Sequence, residues 1–191
     1  TVVIAGDLSW GMRADDTKED FLFLEALPGK KIILKGNHDY WWQTMRKLQR
    51  YMEEIGVRSV SFLFNNAYVA EDFILCGTRG WALDGAPGTE DEKILAREAG
   101  RLRMSLEAGK AIAAQHPEKE RIVFLHYPPA YGGQRSAALC GLLQEYGIKR
   151  CYYGHLHNAP RARLTHAAAG AALRLIAADS IGFTPERIEP L

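Results

Sequence analysis

An α/β fold that begins with parallel strands is what this sequence predicts, and two observations predict it. Short apolar runs rich in β-branched residues alternate with longer segments whose apolar residues recur at helical spacing. Glycine or proline stands at most of the switches between them, where a helix or strand has to stop.

The elements follow in order along the 191 residues. Val2 to Ala5 is a short strand ending at Gly6, and "DDTKEDFLFLEAL" is a helix with Phe21, Leu22, Leu24 and Leu27 on its apolar side and Pro28-Gly29 as its stop. Lys31 to Lys35 is a second strand, and Tyr40 to Ile55 a second helix closed by Gly56. This βαβα beginning requires crossover helices between parallel strands. The segment "SVSFLFNNAYVAEDFILCGTRGW" changes the pattern, with hairpin-like antiparallel strands expected around Asn65-Asn66 and again around Glu71-Asp72. Thr89 to about Gln115 is a long helix whose start, Thr89-Glu-Asp-Glu92, has the form of a capping box. Alternation then resumes: strand Arg121 to Leu125, helix Ser136 to Tyr146 ended by Gly147, and strand Lys149 to Tyr153. Strands and turns, including Leu173 to Ala178, complete the chain, and "THAAAGAAL" fits either a hairpin or a short helix.

Composition narrows the function classes. The chain is 47% hydrophobic and 25% charged, with a formal net charge of +1, so it has the makings of one domain over 1–191. Bulk attraction to nucleic acid or to anionic membrane is not indicated, although "RKLQR" at 46–50 could track phosphates if it is not simply the solvated face of a helix. Cys76, Cys140 and Cys151 are widely spaced with no Cys-x-x-Cys pair, which fits buried, reduced thiols and a cytoplasmic setting. The opening "TVVIAGDLSW" lacks the basic start and apolar stretch expected of a signal peptide, and "AAAGAALRLIAA", broken by Arg174, is too short to span a bilayer.

The polar residues carry the functional reading. Asp7 follows the first strand, Asn37 and His38 the second, His126 ends "RIVFL", and His155 and His157 follow "RCYYG". These positions are the carboxyl ends of strands, the rim where open α/β sheets bind ligands. Gly6, Gly36 and Gly154 each directly precede one cluster, and glycine permits the sharp turn that aims the next side chain into the rim. One carboxylate, one amide and several imidazoles form a donor set suited to Zn, Mn, Fe or Co. His116, at a helix end, and His166, in the Ala-rich tail, lack that context and read as a helix-end cation and a surface residue.

"GD" at Gly6-Asp7, "GNHD" at Gly36 to Asp39, His126 in "LHYPP" and "GHLH" at Gly154 to His157 resemble, in order, the later motifs of the calcineurin-like metallophosphoesterase family. "GDLSW", "GNHDYWW", "CGTRGW" and "LHYPP" look closest to a bacterial branch known only as predicted phosphohydrolases. The resemblance implies a four-layer αββα sandwich with mixed sheets. It also implies two divalent cations, with Asp7 bridging them, Asn37, His126 and His155 completing one site, and His157 binding at the other. His38 would act as the acid beside the scissile phosphate, with Asp39 orienting its imidazole by a hydrogen bond.

The family pattern starts with an Asp-x-His after an earlier strand, and none stands upstream of Asp7. The chain is therefore expected to be truncated before that motif and its strand; a genuine loss of the first metal site is the other reading. The activity implied is hydrolysis of a phosphomonoester or phosphodiester by a metal-bound hydroxide, since two cations both neutralise the ester's charge and lower the pKa of bound water. A catalytically impaired scaffold that binds protein is the rival. The expected partner is a small phosphorylated substrate, with no membrane involved.

Arg79 in "GTRGW" could hold a phosphate oxygen through its planar guanidinium, or be a surface arginine on a hairpin turn. Tyr40, Trp41 and Trp42 could stack on a substrate ring, while a core-packing role suits at least one tryptophan.

Overall fold

The computed structural model describes residues 1–83 and 88–191. Its first third is a βαβαβ unit. Strand β1 (Val2–Ile4), helix α1 (Lys18–Ala26), strand β2 (Lys31–Ile33), helix α2 (Met45–Glu54) and strand β3 (Val60–Phe62) give a three-stranded sheet in the order β1-β2-β3. Both pairings are parallel, with Val3 opposite Ile32 and Ile32 opposite Ser61.

The chain then moves to a second sheet. Strands β4 (Ala67–Ala70) and β5 (Phe73–Thr78) form an antiparallel hairpin, helix α3 (Glu90–Ala113) leads to β6 (Glu120–Leu125), and helix α4 (Ala137–Glu145) leads to β9 (Arg150–Tyr153). Between β6 and α4 lies a small ribbon, β7 (Ala130–Tyr131) with β8 (Gln134–Arg135). The last strands, β10 (Ala167–Ala168) and β11 (Ala171–Leu175), are antiparallel to each other, which settles the Ala-rich segment as a hairpin. The six-stranded order is β10-β11-β9-β6-β5-β4, a parallel centre with antiparallel edges.

Alternation along the strands sorts side chains into layers. Ile32 and Leu34 join Phe73, Leu75, Ile122, Phe124 and Tyr152 in a core between the two sheets. Ile33 faces the other way and packs with Phe21 and Leu24 of α1 and Leu48 and Met52 of α2. On the far side of the second sheet, Ile74, Cys76, Val123 and Cys151 meet Leu102 and Leu106 of α3 and Leu139 and Leu143 of α4. Three apolar layers between helix, sheet, sheet and helix make the αββα sandwich. All three cysteines are buried and free. Among the described residues, no helix is long and apolar enough to cross a membrane.

Thr89 caps α3 as the sequence suggests, its hydroxyl accepting from Glu92 N–H, and Ser136, expected as the first residue of α4, instead caps it by accepting from Leu139 N–H. Two local readings differ in kind from expectation. Helix α2 begins at Met45 rather than Tyr40, because residues 38–42 turn back on themselves: Tyr40 N–H donates to the His38 carbonyl and Trp42 N–H to that of Asp39. Trp41 is 1% exposed and meets Phe21 edge-on, so its burial favours the turn over an earlier helix start. Asn65-Asn66 is no hairpin either. It is the crossing between sheets, and Asn66 closes it by accepting from Phe64 N–H (2.7 Å) and donating to the Phe62 carbonyl (3.2 Å).

Candidate metal centre

The carboxyl ends of β1, β2, β6 and β9 meet at one rim. Gly6 and Asp7 both have left-handed backbones, φ 90° and 56°, and turn the chain sharply after β1. A Cβ on Gly6 would lie 2.6 Å from the Gly36 nitrogen and 2.7 Å from His126 Nδ1, so the glycine lets three loops close on one another. His155 is left-handed as well, φ 67°, and this unusual backbone points its ring back to the rim.

Ligand atoms of Asp7, His126 and His155 lie within 4.8 Å of one another. Asn37 stands among them, its Oδ1 2.7 Å from His126 Nε2 and 2.9 Å from His155 Nδ1. His126 Nδ1 donates to the Ala5 carbonyl at 2.8 Å, which fixes the tautomer and leaves a lone pair on Nε2. That lone pair faces Asn37 Oδ1 and, at 3.4 Å, Asp7 Oδ2. Convergent lone pairs without an intervening proton are the chemistry of a cation site, and nitrogen with oxygen donors suits a borderline first-row divalent ion.

The electrostatics agree. Burial lowers the pKa of His126, against the pull of Asp7, and lowers that of His155 to about 4, with His126 adding to the shift. Both rings are therefore neutral near pH 7, the form that binds metal. The family model for calcineurin-like phosphoesterases matches residues 1–159.

The chain belongs to the calcineurin-like phosphoesterase family.

Solved structures with a shared fold accompany this assignment. TT1561 of Thermus thermophilus is 12% identical, with TM-score 0.55 over 90% of this chain and 73% of its own. A second solved chain is 14% identical, with TM-score 0.52 over 83% of this chain and 62% of that chain, so the present sequence spans less than two thirds of that relative. No match is found among curated proteins.

The remaining expected site residues lie at different distances from the centre. His157 stands outside the Asp7–His126–His155 group: it is half exposed, and its Nδ1 pairs with Asp179 Oδ1 at 2.9 Å. Asp179 also accepts from Asn158 N–H at 2.7 Å; that bond first, then His157, holds its carboxyl low. Asp179 was not foreseen, although it follows β11 much as Asp7 follows β1. His38 sits on the rim with its backbone N–H donating to Asp7 Oδ1 (2.8 Å). Its ring stacks on Trp10, centroids 4.7 Å apart and 14° from parallel, and its Nδ1 is 3.5 Å from the hydroxyl of exposed Tyr40. Trp10, 75% exposed, is another residue that sequence reasoning missed.

Asp39 does not orient His38. Its side chain is fully buried and points the other way, accepting five N–H bonds from Gly36, Asp7, Leu8, Ser9 and the Trp41 indole. Burial pushes its carboxyl upward, while bonds from Gly36, Asp7 and Ser9 oppose the shift. The carboxylate thus ties the Asp7 loop to the Asn37 loop. Arg79, expected as a phosphate contact, is held by buried Glu98 at 3.2 Å and lies over Trp81.

A cavity of about 1090 Å³ opens at this rim and runs between β1 and the second sheet. Asp7, His38, His126, His155 and His157 line its mouth, and Val3, Phe73, Ile122 and Phe124 its apolar depth.

Proposed function

We propose that the protein hydrolyses small phosphate esters, mono- or diesters, with divalent metal held at Asp7, Asn37, His126 and His155. The observation that carries this is the convergence of one carboxylate, one amide oxygen and two imidazoles beside His38, whose ring contacts Trp10 and Tyr40 rather than the set itself. His157, braced by Asp179, would contribute to a second cation with Asp7.

Bound metal would neutralise the ester's charge and make water nucleophilic at neutral pH. The chain's own residues do the rest. Asp7 and the Asn37 amide set the position of the ester against the rim, and Asp39 keeps their two loops in register. His38, steadied by Trp10 and Tyr40, delivers a proton to the leaving oxygen. Three free, buried thiols support a reducing cytoplasmic setting.

The test is hydrolysis of p-nitrophenyl phosphate and of bis(p-nitrophenyl) phosphate by the purified chain with Mn²⁺ or Zn²⁺. Metal-dependent turnover of at least one, abolished by EDTA and lowered roughly 10²–10⁴-fold by His38→Ala, is expected. If neither ester is cut with either metal, the proposal fails.

A further inference from the structure

The rim carries an exposed aromatic surface that ester hydrolysis by itself does not require. Of the four tryptophans, three are held by the protein. Trp41 is 1% exposed, Trp42 packs on Phe62 with ring centroids 5.2 Å apart, and the Trp81 indole donates to Asp91 Oδ1 at 2.9 Å. Trp10 is different. It is 75% exposed, belongs to none of the three apolar layers of the described residues, and stacks on the His38 ring at 4.7 Å, 14° from parallel. His38 takes one face of the indole, and the exposure leaves the other open.

The exposed ring stands on a pinned backbone. Ser9 is buried: its N–H donates to Asp39 Oδ1 (3.4 Å), its carbonyl accepts from the Trp41 indole (3.3 Å), and its hydroxyl accepts from Gly11 N–H (3.2 Å). A Cβ on Gly11 would lie 2.8 Å from Thr17 Cγ2, so the loop is packed closely on that side as well. Water against so large an apolar ring is unfavourable, and a ligand that covers it gains without first having to order the loop.

Position decides what that ligand is. Trp10 lines the cavity of about 1090 Å³ together with Asp7, His38 and His155, so there is room beside it for more than a phosphate. Since His38 delivers the proton to the leaving oxygen, the group bonded to that oxygen emerges next to the indole that stacks on His38. Reaching the open face means passing one ring thickness, roughly 3.5 Å, which suits a ring set a few bonds from the leaving oxygen. A flat π-face matches the indole better than an alkyl chain does, because offset stacking adds to the area buried.

We propose that Trp10 is a stacking platform for a flat aromatic ring on the leaving group, so that the preferred substrates are phosphate esters of ring-bearing alcohols. The substrate class rests on the phosphoesterase reading above; ring binding at Trp10 does not.

Two measurements separate these. The metal-free protein is titrated with AMP in EDTA while the Trp10 indole N–H signal, assigned by its loss in folded Trp10→Phe, is followed by NMR. A ring-current shift is expected that half-saturates at about tenfold less AMP than the same shift in free N-acetyltryptophanamide, with ribose 5-phosphate causing none. With Mn²⁺ present, kcat/KM is compared for AMP against ribose 5-phosphate and for 2-phenylethyl phosphate against ethyl phosphate. A preference of about tenfold for the ring-bearing ester of at least one pair is expected, falling towards unity in Trp10→Ala and largely kept in Trp10→Phe. If Trp10 did no more than steady His38, Trp10→Ala would slow both members of a pair alike and leave their ratio in place, which would overturn the proposal. So would an unshifted indole, a shift matching that of the free amide, or an active enzyme with no ring preference. A preference in the AMP pair alone assigns the ring to a nucleobase, and one in the phenylethyl pair assigns it to aromatic rings at large. Ring binding at Trp10 in a protein that cuts no ester would leave the platform standing and remove only the hydrolytic reading.

Discussion

Replacing Asp39 by asparagine tests how the two ligand loops are held. Asp39 Oδ2 accepts from Gly36 N–H (2.6 Å) and Asp7 N–H (2.9 Å), while Oδ1 accepts from Leu8 N–H (3.0 Å), the Trp41 indole (3.1 Å) and, more weakly, Ser9 N–H (3.4 Å). Whichever oxygen becomes an NH₂ group, at least two well-placed donors lose their acceptor and face another donor. Buried donors left unsatisfied cost roughly 1–3 kcal/mol each. Burial already presses the carboxyl toward its neutral form, and removing the charge returns part of that loss. The net destabilisation expected is about 2–4 kcal/mol. At a urea m-value of roughly 2 kcal/mol/M, the unfolding midpoint should fall by about 1–2 M with m unchanged. A midpoint within roughly 0.2 M of the wild type would refute the bracing role.

Other predictions follow from the same contacts. A methyl group at Gly36 would land on the Asp7 carboxylate, so Gly36→Ala should weaken Mn²⁺ binding by about tenfold or more in a folded protein; calorimetric titration checks this. Burial raises the Cys140 thiol pKa, pushes that of Cys76 up to about 12 and raises that of Cys151 still further, so almost no thiolate exists at pH 8. A thiol reagent should accordingly find no fast-reacting cysteine until denaturant is added, and then all three; rapid labelling of the native protein would contradict the buried placement.

The layers of the fold were legible because strands and helices alternate with little interruption, and because Ile32, Ile33 and Leu34 in succession can only face alternate sides of a strand. The hairpin expected at Asn65-Asn66 failed for a reason local sequence does not carry: β3 and β4 belong to different sheets, and a crossing looks like a turn. Strand-end placement pointed to Asp7, Asn37, His126 and His155 because each follows a strand of a sheet that shares the rim. The orienting role that the resemblance implied for Asp39 does not match its contacts. Adjacent residues in a tight turn face opposite ways, so His38 goes to the rim while its neighbour goes to the amides beneath it. Glu98, which is buried and holds Arg79, was invisible for a different reason. Charges on a helix or at a strand end look solvated until the partner element that buries them is known.

The account's central claim is that Asp7, Asn37, His126 and His155 together hold a divalent metal. Equilibrium dialysis against Mn²⁺ and Zn²⁺, comparing the wild type with folded His155→Ala and Asn37→Ala proteins, tests it most directly. At least one bound ion in the wild type, with affinity falling by about tenfold or more in each variant, is the predicted result. A wild type that binds neither metal, or variants that bind as tightly as it does, would contradict the claim.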